Sequence, residues 1–423
     1  MASSYRSNFQ TNQPPYKLIH LCADIVVKYA SITKIALNVL PAELFPALLD
    51  ASLRELRVLP LSMLISHWPL AQLTYNKYNV YPTIQHLPLV YGILSHLIAA
   101  NIDNFTRKNS KLKVIDLRGI TIDPNGMLTF VKAIMQTNQH PCHHHLTLSF
   151  DDDQLRRKYT QTDHALTNED QVHPKPSTKR LKLAHQLQFF LECHVDTNNY
   201  HEIGQLLRME NARIDVHITS LRCQEIGCKK ILSLLRLLKP DEITMLNLDF
   251  NDLGGKYFPS LTNQLQHCLR LTTLNVAYNN LTRIQITLLS KSLLYLKSLK
   301  HLNLSGNRLN SLLRQLLANL THSVEILKLN YCCLTNRDLF DLAESQQHCQ
   351  HLSELHLESN NLAQKLESVK CLLNRTINLK TVKLSDNGID QGIFISLCHT
   401  APSIQHVLCK WNEEDTQQDH ALP

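Results

Sequence analysis

Residues 271–281 decide the fold of this chain, and they read Leu271-Thr-Thr-Leu274-Asn-Val276-Ala-Tyr-Asn279-Asn-Leu281. Leu274 and Val276 are two residues apart, so both side chains point to the same face of a short β-strand. Asn279 follows the strand, where its amide can bond to backbone groups that no neighbouring strand reaches. A single copy proves little, and its meaning depends on whether it recurs at a fixed period.

The same frame recurs once before residues 271–281 and five times after them. The second apolar strand position falls at Leu248, Val276, Leu304, Leu329, Leu357, Leu384 and, in a weaker last copy, Cys409. Consecutive copies are 25 to 28 residues apart, which leaves room for a strand, a turn, about three turns of helix and a loop. This is the leucine-rich repeat pattern. We expect an α/β solenoid, a horseshoe similar to ribonuclease inhibitor, with an N-terminal helical cap.

The composition indicates a folded protein, and the balance of charges in the repeats favours a protein partner. Of 423 residues, 43% are hydrophobic, and no apolar run approaches the ~18 residues that a membrane helix needs. The first residues lack the basic-then-apolar order of a signal peptide, so we expect a cytoplasmic protein that also enters the nucleus if its basic tract is an import signal. Residues 184–423 contain 23 basic and 23 acidic side chains. This balance argues against a nucleic-acid surface in the repeats.

Two apolar stretches near the N-terminus predict helices. Leu18, Cys22 and Val26 recur at four-residue steps, which places one apolar stripe along about three turns of helix. Further on, Pro41 suits the first turn of a second helix. That helix would carry Leu44 and Leu48 on one face.

These two stretches resemble a pair of adaptor-binding motifs. Leu18, Cys22 and Val26 resemble the elongin-binding box, whose helix inserts its Leu and Cys into a pocket of elongin C. The positions that resemble the adjacent cullin box, which selects cullin 2, are Leu40, Pro41, Leu44 and Leu48. The alternative is that both helices only cap the open end of the solenoid, which needs a cap in any case. The two interpretations are compatible, because a capping helix has an outer face.

The sequence of residues 38–76 resembles the PRAME and leucine-rich-repeat-containing-14 family. That family has an L-P-x-E-L-F-P segment, matched by Leu40–Pro46, then a Trp-Pro pair at Trp68, then the strand-like Leu112–Leu117. The resemblance implies the substrate-recognition subunit of a ubiquitin ligase that contains cullin 2 and elongins B and C. It also leaves open a scaffold that represses a transcription factor or an innate, NF-κB-type signalling factor by direct binding.

The remaining segments complete the predicted organisation. Residues 151–183 are polar and charged and predict a disordered insertion. The basic tract at 175–183 is either a nuclear import signal or a solvated tract. The predicted divisions are a disordered N-terminus (1–16), a helical cap with the two boxes (17–110), irregular first repeats (111–150), the insertion (151–183), the repeat array (184–412) and a C-terminal tail (413–423).

No motif for catalysis or cofactor binding is recognisable in the sequence. Phosphate-cradling glycine loops, a nucleophile elbow and an H-E-x-x-H helix do not occur. Cys142 with the histidines at 140–145 suggests a metal, but adjacent side chains point apart. Cys223 and Cys228 have no second pair nearby, and packing explains them better. We expect a non-enzyme without a cofactor.

The substrate is expected on the concave face of the horseshoe, at strand residues that alternate with the core leucines. These residues are Asn247, Asp249, Asn275, Asn303, Lys328, Asn330, His356, Glu358 and Lys383. Tyr278 and Tyr331, just beyond two strands, are the expected anchors, because aromatic residues dominate interface energetics. For any single position, the alternative is ordinary solvated surface.

Overall fold

The computed structural model describes residues 18–55, 57–74, 87–106, 110–120, 122–139, 187–209, 213–309, 311–320, 324–345, 351–375, 378–400 and 406–408. Within these ranges, eleven strands form one sheet in which each strand pairs in parallel with the next in sequence. The strands are β1 (Gln72–Thr74), β2 (Val114–Asp116), β3 (Leu187–Val195), β4 (Ile214–Cys223), β5 (Met245–Asn247), β6 (Thr273–Asn275), β7 (His301–Asn303), β8 (Ile326–Lys328), β9 (Glu354–His356), β10 (Thr381–Lys383) and β11 (His406–Leu408).

Parallel neighbours need a crossover, and a helix supplies each one. The helices are α1 (Leu18–Lys28), α2 (Ala30–Val39), α3 (Phe45–Arg54), α4 (Val58–Ser66), α5 (Leu87–Phe105), α6 (Pro124–Gln139), α7 (Tyr200–Arg208), α8 (Gly227–Leu235), α9 (Phe258–Leu265), α10 (Arg283–Leu293), α11 (Leu313–Leu317), α12 (Asn336–Glu344), α13 (Leu366–Arg375) and α14 (Gln391–Thr400). Helices α1–α4 precede the sheet, and from β1 onward one helix lies between each pair of strands. The α/β repeat solenoid with an N-terminal helical region is confirmed.

The spacing of the repeats in the sequence sets the register of the strands in the sheet. Leu246 pairs with Leu274 and Leu274 with Leu302, so equivalent repeat positions lie side by side. The middle residue of each short strand in this series is buried, whereas its neighbours are half-buried. The helices therefore cover one face of the sheet. We call the other, partly accessible face the open face.

The less regular segments also form the predicted elements. The predicted strand at Ile115 is β2, and α6 follows it. Strand β3, helix α7 and strand β4 follow before the regular repeats begin. The region assigned to the helical cap also contributes the first strand, β1, which the sequence did not indicate. The predicted disordered segments, the histidines at 140–145 and Cys409 lie outside the described residues.

Buried asparagines join each repeat to the one before it. The Asn279 amide nitrogen donates to the carbonyl oxygens of Leu248 at 2.8 Å and Val276 at 2.9 Å. Its side-chain oxygen accepts from the backbone N–H of Asn251 at 2.9 Å. Cys332 replaces asparagine in one repeat, and its thiol donates more weakly to nearby carbonyls. Burial raises the pKa of this thiol to about 12.

The cap is attached to the sheet by the residues that resemble the family motif. Phe45 and Trp68 are buried and meet edge to face, with ring centroids 6.2 Å apart. The Trp68 indole N–H donates to the carbonyl oxygen of Gln72, the first residue of β1, at 3.0 Å. Arg54 of α3 forms an ion pair with Asp24 of α1. In the described part of the chain, no helix is both long and apolar enough to span a bilayer.

Candidate functional site

The first candidate surface is the outer side of α1. Leu18 is 75% exposed, and Leu21, Cys22 and Ile25 are exposed beside it. The opposite side of the helix packs inward through Ala23 and Val27, which are buried. Such an exposed apolar stripe is a candidate interaction surface.

This geometry separates the three predicted elongin-binding residues. The side chains of Leu18 and Cys22 are exposed, whereas Val26 is half-buried and packs against the core. Ile25, which was not assigned, is exposed in its place. The sequence holds the necessary signal, because Leu21 and Ile25 form a second four-residue step along the same helix.

The predicted cullin-binding residues lie at the start of α3. Pro41 is exposed and precedes the 3₁₀ helix Ala42–Leu44, and Leu40 and Leu44 are half-buried. Leu48 is only 2% exposed and belongs to the core. This corrects its assignment as a partner contact, because a side chain enclosed by its own fold presents no surface.

A helix that the sequence analysis did not predict lies between the two boxes. Helix α2 packs against α1 and α4 and exposes Ile35 and Val39, and α4 exposes Val58 and Leu59. These residues extend the exposed apolar surface of the cap beyond the predicted motifs. We call the exposed apolar residues of α1, α2 and α4 together the cap surface.

The second candidate surface is the open face of the sheet. Asn247, Asn275, Asn303, Lys328 and Lys383 occupy the third position of their strands and are half-buried. Asn275 donates to the side-chain oxygen of Asn247 at 2.9 Å, so adjacent repeats are linked across the face. Asp249, Asn330 and Glu358 are half-buried at the ends of their strands.

One predicted contact residue of this face is enclosed. His356 is only 4% exposed and bonds to the Glu354 carboxylate. Burial lowers its pKa, although the bond to Glu354 acts in the opposite direction. His356 therefore belongs to the packing of the face, which corrects its assignment as a substrate contact.

The first position of each strand also faces the open side, and the sequence analysis missed this column. A cavity of about 210 Å³ lies over β5–β8. Its lining includes Met245, Thr273, His301 and Ile326 from the missed column, together with Lys328. The residue before each middle leucine could have been found from the same alternation that identified the residue after it.

Aromatic side chains lie just beyond the C-terminal ends of β5, β6 and β8, along one side of the open face. We call this side, where the parallel strands end, the C-terminal edge of the open face. Tyr278 is 37% and Tyr331 is 51% exposed, as expected for anchors, and Phe250, which the sequence analysis missed, is 55% exposed. Phe250 and Tyr278 stack with ring centroids 4.6 Å apart, and the rings of Tyr278 and Tyr331 lie 6.2 Å apart.

A polar cluster lies farther toward the N-terminal end of the same face. The His217 ring stacks on Phe190 with centroids 4.7 Å apart. Its nitrogens contact Asp215 at 3.2 Å and Glu242 at 2.8 Å, and Lys239 bonds to Glu242. The bond to Asp215 is the main reason that the pKa of His217 is raised.

The described residues contain no group of three or more His, Cys, Asp or Glu side chains arranged to hold a metal ion. Cys223 and Cys228 are buried, and burial raises the pKa of both thiols. Both thiols are therefore suited to packing as small apolar groups.

Comparisons with known proteins agree with both parts of this architecture. Residues 14–125 match the PRAME N-terminal domain, and residues 298–320 match the leucine-rich repeat. Leucine-rich repeat-containing protein 14 from Xenopus laevis is 24% identical over 390 residues, which cover 82% of this chain and 72% of that protein. The chain therefore contains a PRAME-type N-terminal domain and is similar to leucine-rich repeat-containing protein 14.

Two solved structures resemble this chain more loosely. LegL7, a leucine-rich repeat-containing protein from Legionella pneumophila, is 18% identical with a TM-score of 0.38, over 80% of this chain and 89% of LegL7. The structure of the TLR13–ssRNA13 complex is 17% identical with a TM-score of 0.31, over 53% of this chain and 33% of that one. The matched PRAME domain spans the whole cap surface, and the repeat array is of a kind that binds proteins.

Proposed function

We propose that this protein is the substrate-recognition subunit of a ubiquitin ligase containing cullin 2 and elongins B and C. The observation that supports this most is the exposed apolar stripe of α1, where Leu18 and Cys22 face solvent. Burying one large aliphatic side chain in a partner stabilises the complex by about 1.5–3 kcal/mol. The stripe is therefore a surface for a partner with an apolar pocket, and elongin C is that partner.

The arrangement of the two surfaces suits a receptor. The cap surface lies before β1, whereas the open face extends over the later strands. A receptor of this kind needs no catalytic residue, because it holds a substrate near a ubiquitin carrier that other subunits recruit. In this proposal the cap binds the adaptor and the open face binds the substrate.

Cullin 2 is proposed to contact the cap beside the elongin site. Pro41 is exposed at the start of its 3₁₀ helix, and Val39 is exposed just before it. Leu44 is partly accessible in the same segment. The proposed cullin contact therefore consists of Val39, Pro41 and Leu44. Leu48, which the sequence also predicted, is left out because it is enclosed.

The test is co-purification of the full chain with elongins B and C and cullin 2. The double substitution Leu18→Ala with Cys22→Ala should reduce elongin capture at least tenfold, because it removes the exposed stripe while leaving Ala23 and Val27 in place. The matched control is Leu269→Ala with Ile284→Ala, which removes two exposed apolar side chains from the repeat array. Wild-type protein that does not capture elongins B and C would contradict the proposal.

A second pair of substitutions tests the cullin contact separately. Val39→Ala with Pro41→Ala should reduce cullin 2 in the purified complex while elongins B and C remain bound. Unchanged cullin 2 would contradict this part of the proposal and leave the elongin contact standing.

The second candidate is a scaffold that represses a transcription or innate, NF-κB-type signalling factor without a ligase. The half-buried Val26 favours it, because one of the three box residues is used for packing the cap. This scaffold would keep its repressing activity in the Leu18→Ala with Cys22→Ala variant, whereas the ligase receptor would lose it.

A further inference from the structure

Four consecutive repeats place a row of residues at the C-terminal edge of the open face. The row consists of Phe250, Tyr278, Gly306 and Tyr331, each directly before the buried Asn or Cys of its repeat. The parallel hydrogen-bond ladder continues through this row, because the N–H of Tyr278 donates to Ser305 at 2.8 Å and the N–H of Tyr331 donates to Glu358 at 3.0 Å. The row is therefore held by the backbone of the sheet. We call it the aromatic edge.

The glycine in this row lets the rings come together. Tyr278 and Tyr331 are two repeats apart, a separation of about 9.6 Å between strands, yet their ring centroids are only 6.2 Å apart. A side chain on Gly306 would collide with the Tyr278 ring, since a Cβ there would lie 2.6 Å from Cε1 and 2.8 Å from Cγ. The Tyr278 ring thus lies across Gly306, with Phe250 stacked on its other side.

The aromatic edge is built at an energetic cost. Phe250, Tyr278 and Tyr331 all have left-handed backbones, with φ of 54°, 54° and 56°. This conformation favours Gly, Asn or Asp and costs bulky residues roughly 1–3 kcal/mol each. Phe250 and Tyr331 are more than half exposed at such positions, so burial does not account for them, and a binding role explains their presence better than packing does.

The charges around the aromatic edge are mostly negative. Within two residues of the equivalent position, these four repeats and the next two hold four carboxylates, Asp249, Asp252, Glu358 and Asp386, and one cation, Arg308. The Glu358 carboxylate accepts from the Asn330 amide at 2.7 Å and forms no ion pair with any described residue. Among the described residues, only its Oε2 atom has a hydrogen-bond partner.

We propose that the aromatic edge binds an arginine side chain of a protein partner. The guanidinium plane stacks on the exposed ring of Tyr331, which packs against Tyr278, and Glu358 accepts a hydrogen bond from its edge. Arginine fits better than lysine because its planar group both stacks and donates in a fixed geometry. The four carboxylates disfavour the phosphates of a nucleic acid. The proposal deepens the proposed function by naming the chemistry of the substrate, but it does not depend on elongin binding.

Selection from a library of random 12-residue peptides tests this directly. The full chain, the Tyr278→Ala with Tyr331→Ala variant and a Tyr295→Ala control are used as targets, since Tyr295 is equally exposed but follows α10 on the helical side. Peptides selected on the wild type and on the control should be enriched in arginine. A cation–π contact at an exposed site changes affinity by a factor of about two to five, so the double variant should lose most of this enrichment.

One selected peptide then serves as the probe in fluorescence polarisation. Replacing its arginine by citrulline, which is planar but uncharged, should weaken binding about tenfold or more. The substitution Glu358→Gln should weaken binding roughly threefold to tenfold, which is what an ion pair of this kind contributes. The matched control is Glu344→Gln, an exposed carboxylate at the end of α12.

Three results would overturn the proposal: selected peptides without arginine enrichment, equal enrichment on the double variant, or single-stranded RNA that binds the wild type and not the double variant. Elongin capture is measured on the same variants. If the wild type selects arginine-rich peptides but does not capture elongins, only the ligase role is contradicted. If it captures elongins but selects no arginine, only the arginine site is contradicted.

Discussion

Single asparagines determine how the repeats adhere to one another. Asn279 is fully buried and bonds to the backbone of its own repeat and of the preceding one. The sequence indicated its position, and it also indicated why an amide suits it, because an amide donates through its nitrogen and accepts through its oxygen. The structure adds that the bonds reach the preceding repeat, so each asparagine stabilises an interface between repeats.

Asn279→Ala should therefore lower the free energy of unfolding by about 1–3 kcal/mol, because it leaves buried backbone groups without partners. Urea unfolding of the full chain measures this. The control is Asn263→Ala in α9, whose side chain is exposed and whose replacement should leave stability unchanged or slightly higher. Equal urea midpoints for Asn279→Ala and the wild type would show that the hydrogen bonds of this asparagine do not stabilise the fold.

His217 makes stability depend on pH. It lies against Asp215, Glu242, Lys239 and Phe190, and the bond to Asp215 raises its pKa above the ordinary 6.5. A raised pKa means that the folded protein holds the proton more tightly than the unfolded chain does. This stabilisation is fully present below the unfolded pKa and is lost as pH rises through the folded pKa.

The expected outcome is that His217→Gln destabilises the protein more at about pH 5.5 than at about pH 8.5. Thermal unfolding of both proteins at the two pH values measures the difference. His356 offers a contrast, because burial lowers its pKa, so its effect on stability has the opposite sign. A larger effect of His217→Gln at the higher pH would contradict the assignment.

At the scale of elements, α1 has its apolar stripe on the outside. The four-residue spacing predicted an amphipathic helix, and such a stripe ordinarily faces the core. Here smaller residues, Ala23 and Val27, face the core and let α1 lie close to α3, whereas Leu18 faces solvent. The spacing alone could not distinguish these orientations, because both faces of the helix are apolar.

Leu48 and Leu18 should respond oppositely to truncation. Leu48→Ala should lower the free energy of unfolding by about 2–5 kcal/mol, because it leaves a cavity in the core of the cap. Leu18→Ala should change it by less than about 0.5 kcal/mol, as for other exposed positions. Chemical denaturation of the two variants checks both values, and a stable Leu48→Ala protein would restore that residue as a candidate partner contact.

At the scale of the whole molecule, the cap surface and the aromatic edge belong to different parts of a solenoid. The cap adjoins β1, and the aromatic edge begins after β5, which is at least four strand spacings or roughly 19 Å away. In a solenoid each repeat contacts only its neighbours. The two surfaces should therefore act independently.

Leu18→Ala with Cys22→Ala should change the affinity of an arginine-containing peptide by no more than about twofold, because separated sites are additive to within about 0.5 kcal/mol. Tyr278→Ala with Tyr331→Ala should likewise leave elongin capture unchanged. Peptide polarisation and co-purification on the wild type and both double variants measure this. Coupling between the two surfaces would indicate that the array moves as one unit.

The sequence by itself determined the repeat frame, the strand and helix of each repeat from 243 to 400, and the positions of the buried asparagines. It could do so because a repeat packs only on its neighbours, so a local pattern contains nearly all the information that its fold needs. The same alternation located most residues of the open face, although it was applied to only one side of each middle leucine.

Only the tertiary structure decided which side of a given element meets water. Leu48 and His356 are enclosed, Ile25 is exposed and the Tyr278 ring crosses Gly306 to approach Tyr331. Each of these outcomes depends on contacts between residues of different elements, more than 20 positions apart for Tyr278 with Gly306 and Tyr331. Residues 271–281 fix the place of Tyr278 in the repeat, but its partners in the aromatic edge come from the repeats on either side.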